Sequence, residues 1–439
     1  MSEAAAVRRE REGRREFVLG VVYVVVGVLV GLALALGTDG LDSTFALASQ
    51  RGGVAIPAPD MVLPTAWTLR VIGLVIVGAG VWQLIDGRLK VLAARRTGQV
   101  RDENARNPLM AVLLGLVATG AIFAFLVWAT RGKSMNLTGM LVSSLIRAAP
   151  IGLAAISGIY SERSGVVNIG IEGMMLTGAF LAVVGASISG SSLVGLLAGV
   201  LAGMLFGLLH AVLAIRYRVN QIISGTMIII LALGLTSYLQ RSVLNAFPQL
   251  NRPGPAIPAV GVPLLWRIPV LGPVLFNQSP VIYLLLVLAV LTHWLLYRTR
   301  WGLRMRAVGE HPRAADTLGI NVYRTRYTSV MISGAIAGLA GAYMSIGSAG
   351  RFNEGMTVGK GFLGLAAMIF GNWNPGGAFA GALIFGFFDS WQEKLSILQV
   401  GVPVDLLGMA PYLATMIVLA GVVGRARPPA ASGEPYEKG

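Results

Sequence analysis

Long apolar runs, separated by short polar segments, dominate the pattern of this chain. About 20 consecutive apolar residues are enough to cross ~30 Å of hydrocarbon as a helix. Every backbone polar group inside a membrane needs an internal partner, so we interpret these runs as helices rather than loops. The pattern predicts an all-α polytopic membrane protein with about twelve transmembrane helices, some of which can be broken. The predicted spans are residues 17–37, 66–85, 109–129, 138–160, 166–187, 193–215, 221–240, 280–297, 327–346, 361–373, 375–391 and 405–423. The tenth is short, as expected for a half-helix.

A polar, basic stretch between Tyr297 and Tyr327 interrupts two of these runs and carries its own helix signals. Pro312 suits a first helical position, and Gly319 suits a left-handed stop. Asp316 lies near the positive end of the predicted helix. Two turns of helix are not stable alone in water. The stretch is therefore either a connector that rests on the membrane surface or a lever that another subunit grips.

One side of this predicted helix carries small and apolar side chains. Ala314, Ala315 and Leu318 are expected to share a face, because residues three and four apart are neighbours on a helix. A helix of this kind needs a surface to lie against.

Composition and charge support a membrane protein and indicate its orientation. Of 439 residues 55% are hydrophobic and 13% charged, with a mean hydropathy of +0.71, whereas soluble domains carry roughly 25% charged residues. The net charge of +15 is placed in the segments between spans, which argues against nucleic acid as a partner. Lys and Arg are concentrated on segments that are inner if both termini are cytoplasmic, so the positive-inside rule predicts an N-in, C-in topology. There is no cysteine, so no disulfide is possible.

Two polar residues lie inside an apolar run near the middle of the chain. Asn168 and Glu172 are four residues apart, so on a helix they would point the same way. An ionisable group at membrane depth is costly and is usually turned toward a cavity or a partner. Arg147, a lone cation in the preceding span, is a plausible partner for Glu172. These three residues are our candidates for the substrate pathway; the alternative is that Glu172 only holds the helices together.

The residues around this pair favour a break in the helix. Gly165, Gly170 and Gly173 surround it, and transporters use broken helices because half-helix ends offer fixed dipoles to a substrate. Glu162 and Arg163, just before the glycines, are expected to form a solvated helix end.

Motifs for enzymatic chemistry are absent from the sequence. There is no zinc-protease, nucleophile-elbow or dinucleotide-binding motif. The nearest approach to a phosphate-binding loop, at Gly355–Gly361, lacks the required first glycine and the final Ser or Thr. His210, His293 and His311 are scattered and predict no metal site. The chain is therefore expected to bind no metal or cofactor and to catalyse no reaction.

Three sequence blocks resemble one family of transport proteins. Residues 138–424 are similar to ABC importer permeases of the branched-chain amino acid, ribose and nucleoside superfamily. SERSGVVNIGIEGMMLTGAF (161–180) resembles its nucleoside and simple-sugar branch, and IFGNWNPGGAFAGALIFG (369–386) resembles a further block. AVGEHPRAADTLGINVYRTRY (307–327) resembles the coupling segment. His311 stands where the family commonly has Asn, and Asn372 where it commonly has Lys.

The resemblance implies a division of the chain and a role for each part. Residues 138–424 would form the permease domain, residues 1–135 an extension with three additional helices, and residues 425–439 a cytoplasmic tail. The resemblance implies a permease for nucleosides or simple sugars that forms the translocation path in the cell membrane. The implied coupling residues are Glu310, Pro312, Ala314, Ala315, Asp316, Leu318, Gly319, Ile320 and Asn321.

The same resemblance implies several partners. A cytoplasmic ABC ATPase would use the ATP, a second permease subunit, often a different chain, would complete the path, and an external lipoprotein would deliver substrate. Membrane lipid would surround the chain. Two alternatives remain at this point: a secondary transporter of the major-facilitator type, suggested by twelve spans with both termini inside, and a membrane scaffold. The long inner loop after the eighth rather than the sixth span disfavours the former.

Overall fold

The protein is described from a computed structural model that covers residues 3–51, 54–97, 108–254, 257–400, 402–409, 412 and 426–438. The described chain is predominantly helical. Its α-helices are α1 (Glu3–Val28), α2 (Thr65–Thr97), α3 (Pro108–Ala129), α4 (Leu137–Glu162), α5 (Ile171–Ser189), α6 (Ser192–Ala211), α7 (Gln221–Leu239), α8 (Pro280–Arg298), α9 (Arg300–Glu310), α10 (Pro312–Thr317), α11 (Val322–Ala342), α12 (Lys360–Phe370), α13 (Pro375–Leu398) and α14 (Val404–Gly408). Short strands are β1 (Asp42–Ala46), β2 (Ser49–Arg51), β3 (Val54–Ile56), β4 (Met61–Pro64), β5 (Ser134–Asn136), β6 (Val260–Gly261) and β7 (Asn277–Gln278).

Within these described ranges, nine helices are long and apolar enough to cross a membrane. They correspond to the first nine spans predicted from the sequence. The tenth predicted span is α12, which has 11 residues, so its expected short length is confirmed. The eleventh is α13, a 24-residue helix that is not among the nine. The span at 405–423 lies largely outside the described residues. A total of twelve spans therefore stays a prediction.

The fifth predicted span begins after a break in the helix, as the glycines around Asn168 and Glu172 favour. The apolar run from residue 166 suggests a helix, but α5 begins only at Ile171. The intervening residues include Gly165, which has φ +89°, a conformation that side chains with a Cβ rarely adopt. The chain thus leaves α4 and travels several residues without helical structure before α5 starts.

The chain divides into two compact units. The first contains Met1–Ala48, Pro57–Leu137 and Lys394–Val402, and the second contains Ser49–Ile56, Thr138–Glu393 and Pro403–Gly439. In the first unit β1 pairs with β4 antiparallel and with β5 parallel.

Glycines at seven-residue spacing join α1 and α2 in the first unit. Gly20 and Gly27 on α1 lie against Gly80 and Gly73 on α2, in antiparallel order. A Cβ added to Gly27 would lie 2.8 Å from the Gly73 carbonyl oxygen, and one added to Gly80 would lie 2.9 Å from the Gly20 carbonyl oxygen. Small residues that let backbones approach closely drive helix association in membranes. This repeat makes α1 and α2 a closely packed hairpin.

In the second unit, α6 and α11 cross at an equally close distance. A Cβ on Gly338 would lie 2.2 Å from the Gly199 carbonyl oxygen, and one on Gly334 would lie 2.3 Å from that of Gly203. Helix α4 lies deeper: Ile151, Leu153 and neighbouring residues are fully buried in the main apolar core. This packing surrounds the polar groups described next.

Candidate functional site

The broken segment between α4 and α5 satisfies its backbone with side chains instead of helical hydrogen bonds. The Ser161 hydroxyl donates to the Val166 carbonyl at 2.7 Å, and the Val167 amide donates to Gln221 Oε1 at 2.6 Å. His210 Nε2 lies 2.9 Å from the Val167 carbonyl oxygen. Non-helical backbone is tolerated at membrane depth only where protein groups supply such partners. The segment is therefore a built break rather than a frayed helix end.

Because of the break, α5 starts at a level that lies well within the length of α4. Helix α12 runs beside α4 in the same direction: a Cβ on Gly364 would lie 2.4 Å from Ala154 Cβ, and one on Gly158 would lie 2.8 Å from Met368 Sδ. By this register Gly361 lies level with the region of Ile151. At 1.5 Å per residue that level is about 16 Å from the Glu162 end of α4.

Glu172 lies at this level and holds the start of α12. Its Oε1 accepts a hydrogen bond from the Gly359 amide at 2.8 Å, and its Oε2 accepts one from the Gly361 amide at 2.6 Å. These amides lack partners within their own helix, and a carboxylate is favoured at the positive end of a helix. Glu172 is 7% exposed. The expected pairing of Glu172 with Arg147 is wrong, because the helix end takes both carboxylate oxygens.

Arg147 instead belongs to a cluster of charges on α4, α12 and α13. Its Nη1 lies 3.4 Å from Asp389 Oδ2, and its Nη2 lies 2.9 Å from Glu393 Oε2. Lys360, the first residue of α12, also pairs with Asp389. Side chains of Arg147 and Glu393 are 34% and 44% exposed. Asp389 thus pairs with both Arg147 and Lys360, and the side chains of Arg147 and Glu393 remain partly exposed.

Asn168 does not share a helix face with Glu172, because it lies in the broken segment before α5. It is fully buried, and its Nδ2 donates to Ser333 Oγ at 3.1 Å. The Ser333 hydroxyl lies 2.9 Å from that of Ser157 on α4. Asn168 Oδ1 is buried without a hydrogen-bond partner. The amide therefore ties the broken segment to α4 and α11.

The expected solvated end at Glu162 and Arg163 is also wrong. Glu162 is 7% exposed and its Oε2 accepts a hydrogen bond from Trp373 Nε1 at 2.6 Å. Arg163 Nε donates to the Trp373 carbonyl at 3.2 Å. The turn after α12, where Asn372 and Trp373 both have positive φ, brings these groups together. Sequence reasoning missed this contact because it joins residues more than 200 positions apart.

The basic stretch forms the short helix that the sequence predicts. Helix α10 starts at Pro312, and Gly319 follows its end with φ +78°. The Gly319 amide donates to the Asp316 carbonyl at 2.9 Å, and the Ile320 amide donates to the Ala315 carbonyl at 3.1 Å. Asn321 begins α11, where its side chain accepts a hydrogen bond from the Arg324 amide.

The predicted common face of α10 is only partly right. Ala315 is 2% exposed and packs with Val308 of α9 and Val322 of α11. Ala314 is exposed and Leu318 is 80% exposed. The inner side of α10 therefore packs against α9 and α11, and its outer side is apolar and exposed.

The two polar regions are linked through α9. Gly309 lies so close to the broken segment that an added Cβ would be 2.2 Å from the Arg163 carbonyl oxygen. Glu310, the last residue of α9, accepts a hydrogen bond from the Ala430 amide at 3.2 Å. The end of α9 therefore contacts the segment that leads to Glu172.

The charged and polar side chains gathered here can form hydrogen bonds and ion pairs with a polar ligand. The described residues contain no group of three or more His, Cys, Asp or Glu placed to hold a metal ion. Lys360, Asp389 and Glu393 are functional candidates that sequence reasoning missed. The spacing of Asp389 and Glu393, four residues apart in a largely apolar helix, is the same signal that singled out Asn168 and Glu172 and could have found them.

Known proteins match most of the second unit. The family described as the permease component of branched-chain amino acid transport systems matches residues 140–423. The guanosine ABC transporter permease protein NupQ of Bacillus subtilis (strain 168) is 43% identical over 308 residues, covering 68% of this chain and 96% of the relative. The nucleoside ABC transporter permease protein NupC of Lactococcus lactis subsp. cremoris (strain MG1363) is 41% identical over 315 residues, covering 68% and 96%.

A sugar permease matches at lower identity. A putative glucose ABC transporter permease protein, TsgC13 of Haloferax volcanii, is 35% identical over 310 residues, covering 65% of this chain and 92% of the relative. No solved structure matches the chain. The family match starts near the beginning of α4, and residues 1–139 lie outside it.

Proposed function

The chain belongs to the family of permease components of branched-chain amino acid transport systems, and on this premise we propose that it carries nucleosides as one subunit of an ATP-driven importer. It is a multi-pass membrane subunit and not itself an enzyme. Two relatives named for guanosine or nucleoside transport are 43% and 41% identical, whereas a putative glucose permease is 35% identical. This difference supports nucleosides over simple sugars.

The observation that carries the proposal is the charge cluster beside the half-helix α12. A nucleoside is neutral and polar, with sugar hydroxyls that donate hydrogen bonds and a base that offers both donors and acceptors. Accessible carboxylate oxygens on Asp389 and Glu393 suit the hydroxyls, and the Arg147 guanidinium suits base acceptors. Ionisable groups within membrane helices typically mark a substrate path. In this proposal the cluster lines that path.

Glu172 has a different task from the one its burial suggests. Each of its oxygens accepts a hydrogen bond from a backbone amide of α12, and the residue is only 7% exposed, so little of it is left to meet a substrate. It fixes the helix start that carries Lys360, and Lys360 in turn fixes Asp389. Glu172 and Asn168 are therefore positioning residues for the pathway, whereas Arg147 meets the substrate together with Asp389 and Glu393.

The proposed topology has twelve spans with both termini in the cytoplasm, as the distribution of Lys and Arg supports. Helix α10 then lies on the cytoplasmic side, where a separate ATPase subunit would grip its exposed outer face. A second permease subunit would close the path, and an external binding lipoprotein would deliver the nucleoside. ATP is used by the ATPase subunit.

The coupling route follows from the contacts. Closure of the ATPase subunit would move α10, whose Ala315 is packed against α9 and α11. Gly309 of α9 would transmit the displacement to the broken segment, and through it to Glu172 and the start of α12. Such coupling requires an element with two discrete arrangements, and in this proposal the broken segment between α4 and α5 is that element.

Uptake of a radiolabelled nucleoside by a strain lacking the chain tests this function. The chain should restore uptake, unlabelled nucleosides should compete at least tenfold better than glucose or pentoses, and ATP depletion should abolish uptake. Competition by glucose instead would favour a sugar permease. Uptake that resists ATP depletion but collapses with a proton uncoupler would identify a secondary transporter.

A further inference from the structure

The C-terminal tail, residues 426–438, lies across the coupling segment instead of extending away from it. The Ala431 amide donates to the Gly309 carbonyl at 2.9 Å, and the Gly433 amide donates to the Gly165 carbonyl at 3.3 Å. The tail therefore touches both α9 and the broken segment, through the same two glycines that bring these elements together.

An aromatic anchor fixes the tail beneath α10. Tyr436 is 5% exposed and lies with its ring 5.4 Å from that of Tyr323, edge to face. It shares a core with Val308 and Ala315. Burial and a hydrogen bond with Asp316 raise the pKa of Tyr436. The tail thus supplies part of the floor on which α10 rests.

A buried cation provides a second anchor. Arg326 of α11 is 1% exposed, and its Nη1 donates to the Glu434 carbonyl at 3.0 Å. Its Nε and Nη2 have no hydrogen-bond partner. A buried charge without acceptors is costly, so the tail carbonyl is a contact that the fold needs.

The C-terminal tail and α10 together line an open groove with a volume of about 770 Å³. One wall is formed by Glu310, His311, Pro312, Arg313 and Ala314, and the other by Ala430, Ala431, Glu434, Pro435, Tyr436 and Glu437. The exposed Ala314 belongs both to the groove and to the open outer side of α10. The groove is thus continuous with the face proposed to meet the ATPase subunit.

The charge of the groove differs from that of its surroundings. Glu310, Glu434 and Glu437 line it against Arg313, and Glu437 also pairs with Arg218. The groove is thus slightly acidic, whereas the chain as a whole carries +15. A positively charged segment of a partner would be attracted here and repelled by the neighbouring arginines. Electrostatics of this kind select one partner orientation.

We propose that the C-terminal tail is the second wall of the ATPase docking surface, and that the ATPase subunit places a basic segment between this tail and α10. This inference rests on the proposed function, since it names the surface through which that function is powered. It assigns a role to a segment outside the resemblance blocks.

Charge reversal in the assembled transporter tests the groove. Glu434→Lys changes an exposed side chain and leaves the Glu434 carbonyl that binds Arg326. The variant should lower the amount of ATPase subunit that co-purifies with the chain by about fivefold. It should also reduce the rate of substrate-stimulated ATP hydrolysis. Lys438→Glu, on the same tail but outside the groove, is the matched control and should behave like the unaltered chain. Removal of residues 430–439 should abolish the stimulation of ATP hydrolysis by substrate.

Cross-linking identifies the occupant, because the chain contains no cysteine of its own. Ala430→Cys in the groove should cross-link to the ATPase subunit, whereas Ser189→Cys, at the exposed end of α5, should not. A cross-link to a second permease would assign the groove to the permease pair and overturn the proposal.

The outcomes separate the two ideas. If Glu434→Lys and the truncation both retain the ATPase subunit and its stimulation while uptake remains ATP-dependent, only the tail inference fails. If the unaltered chain neither retains an ATPase nor needs ATP, the proposed function fails as well. Size-exclusion profiles identify a truncated protein that does not fold, in which case Glu434→Lys decides.

Discussion

At the scale of single residues, the important finding is that Glu172 and Arg147 are connected indirectly. The sequence identified both, because each is an ionisable group in an apolar run. It suggested that they pair, but Glu172 binds backbone amides and Arg147 binds Asp389 and Glu393. Which carboxylate reaches which cation depends on how α4, α12 and α13 pack. Local patterns contain no information on that packing, so the link through Lys360 could not be predicted.

Asp389→Asn is expected to reduce nucleoside uptake at least tenfold while the protein still reaches the membrane. The change removes the negative charge shared by Arg147 and Lys360, and breaking a buried pair costs about 3–5 kcal/mol, less for groups as exposed as these. Glu393→Gln, which affects Arg147 alone and is more exposed, should have a smaller effect. Uptake normalised to membrane protein measures both, and equal effects would contradict the bridging role of Asp389.

Glu172→Gln is expected to lower uptake severalfold with assembly retained. The amide nitrogen that replaces one oxygen is a donor and faces a backbone donor, so one of the two contacts with α12 is lost. An unsatisfied buried group costs about 1–3 kcal/mol. Co-purification of the ATPase subunit with the variant is the control. Loss of assembly together with uptake would show that Glu172 serves the fold only.

At the scale of elements, helix signals in the sequence were reliable where local chemistry decides the structure. Pro312 and Gly319 bracket α10 as predicted, and the short tenth run is indeed an 11-residue helix. The start of the fifth span was missed: the glycines indicated a break, but nothing local shows that residues 166–170 lie outside the helix. What holds them out of a helix is distant: Gln221 and His210 take their backbone groups.

Gly309→Val is expected to uncouple the transporter. A Cβ at this position meets the Arg163 carbonyl at 2.2 Å, so α9 and the broken segment must separate. Uptake should fall at least tenfold while ATP hydrolysis continues. Gly234→Val is the matched control, because a Cβ added at Gly234 meets no atom within 4 Å. Intact uptake by Gly309→Val would exclude α9 from the coupling route.

At the scale of the whole molecule, the family relationship covers the second unit and leaves the α1–α2 hairpin unassigned. Apolar length was enough to place nine spans, since a membrane imposes helices of similar length wherever they occur. The seven-residue glycine repeat that joins α1 and α2 is visible in the sequence only when both helices are aligned antiparallel. The partner of each glycine, again, is a property of the fold.

Gly80→Leu is expected to open the hairpin without stopping transport. Its side chain would meet the Gly20 carbonyl at the helix contact, whereas Gly78 on the same helix has no atom within 4 Å. Thermal unfolding in detergent should show a transition lowered by several degrees for Gly80→Leu, with Gly78→Leu unchanged. Nucleoside uptake should persist in both variants. Loss of uptake in Gly80→Leu alone would assign the hairpin a part in transport.

The contact between Glu172 and α12 has a consequence for how this protein can diversify. The carboxylate is bound by main-chain amides, which every residue except proline provides. Only the side chain of Lys360 can therefore vary without loosening the joint, because Gly359 has φ +76° and a Cβ added to Gly361 would lie 2.7 Å from Glu172 Oε2. Lys360 is thus free to change with the solute while Glu172 keeps the architecture. Cargo selection and structural support are separated at a single turn of the chain, so new specificities can arise there without a new fold.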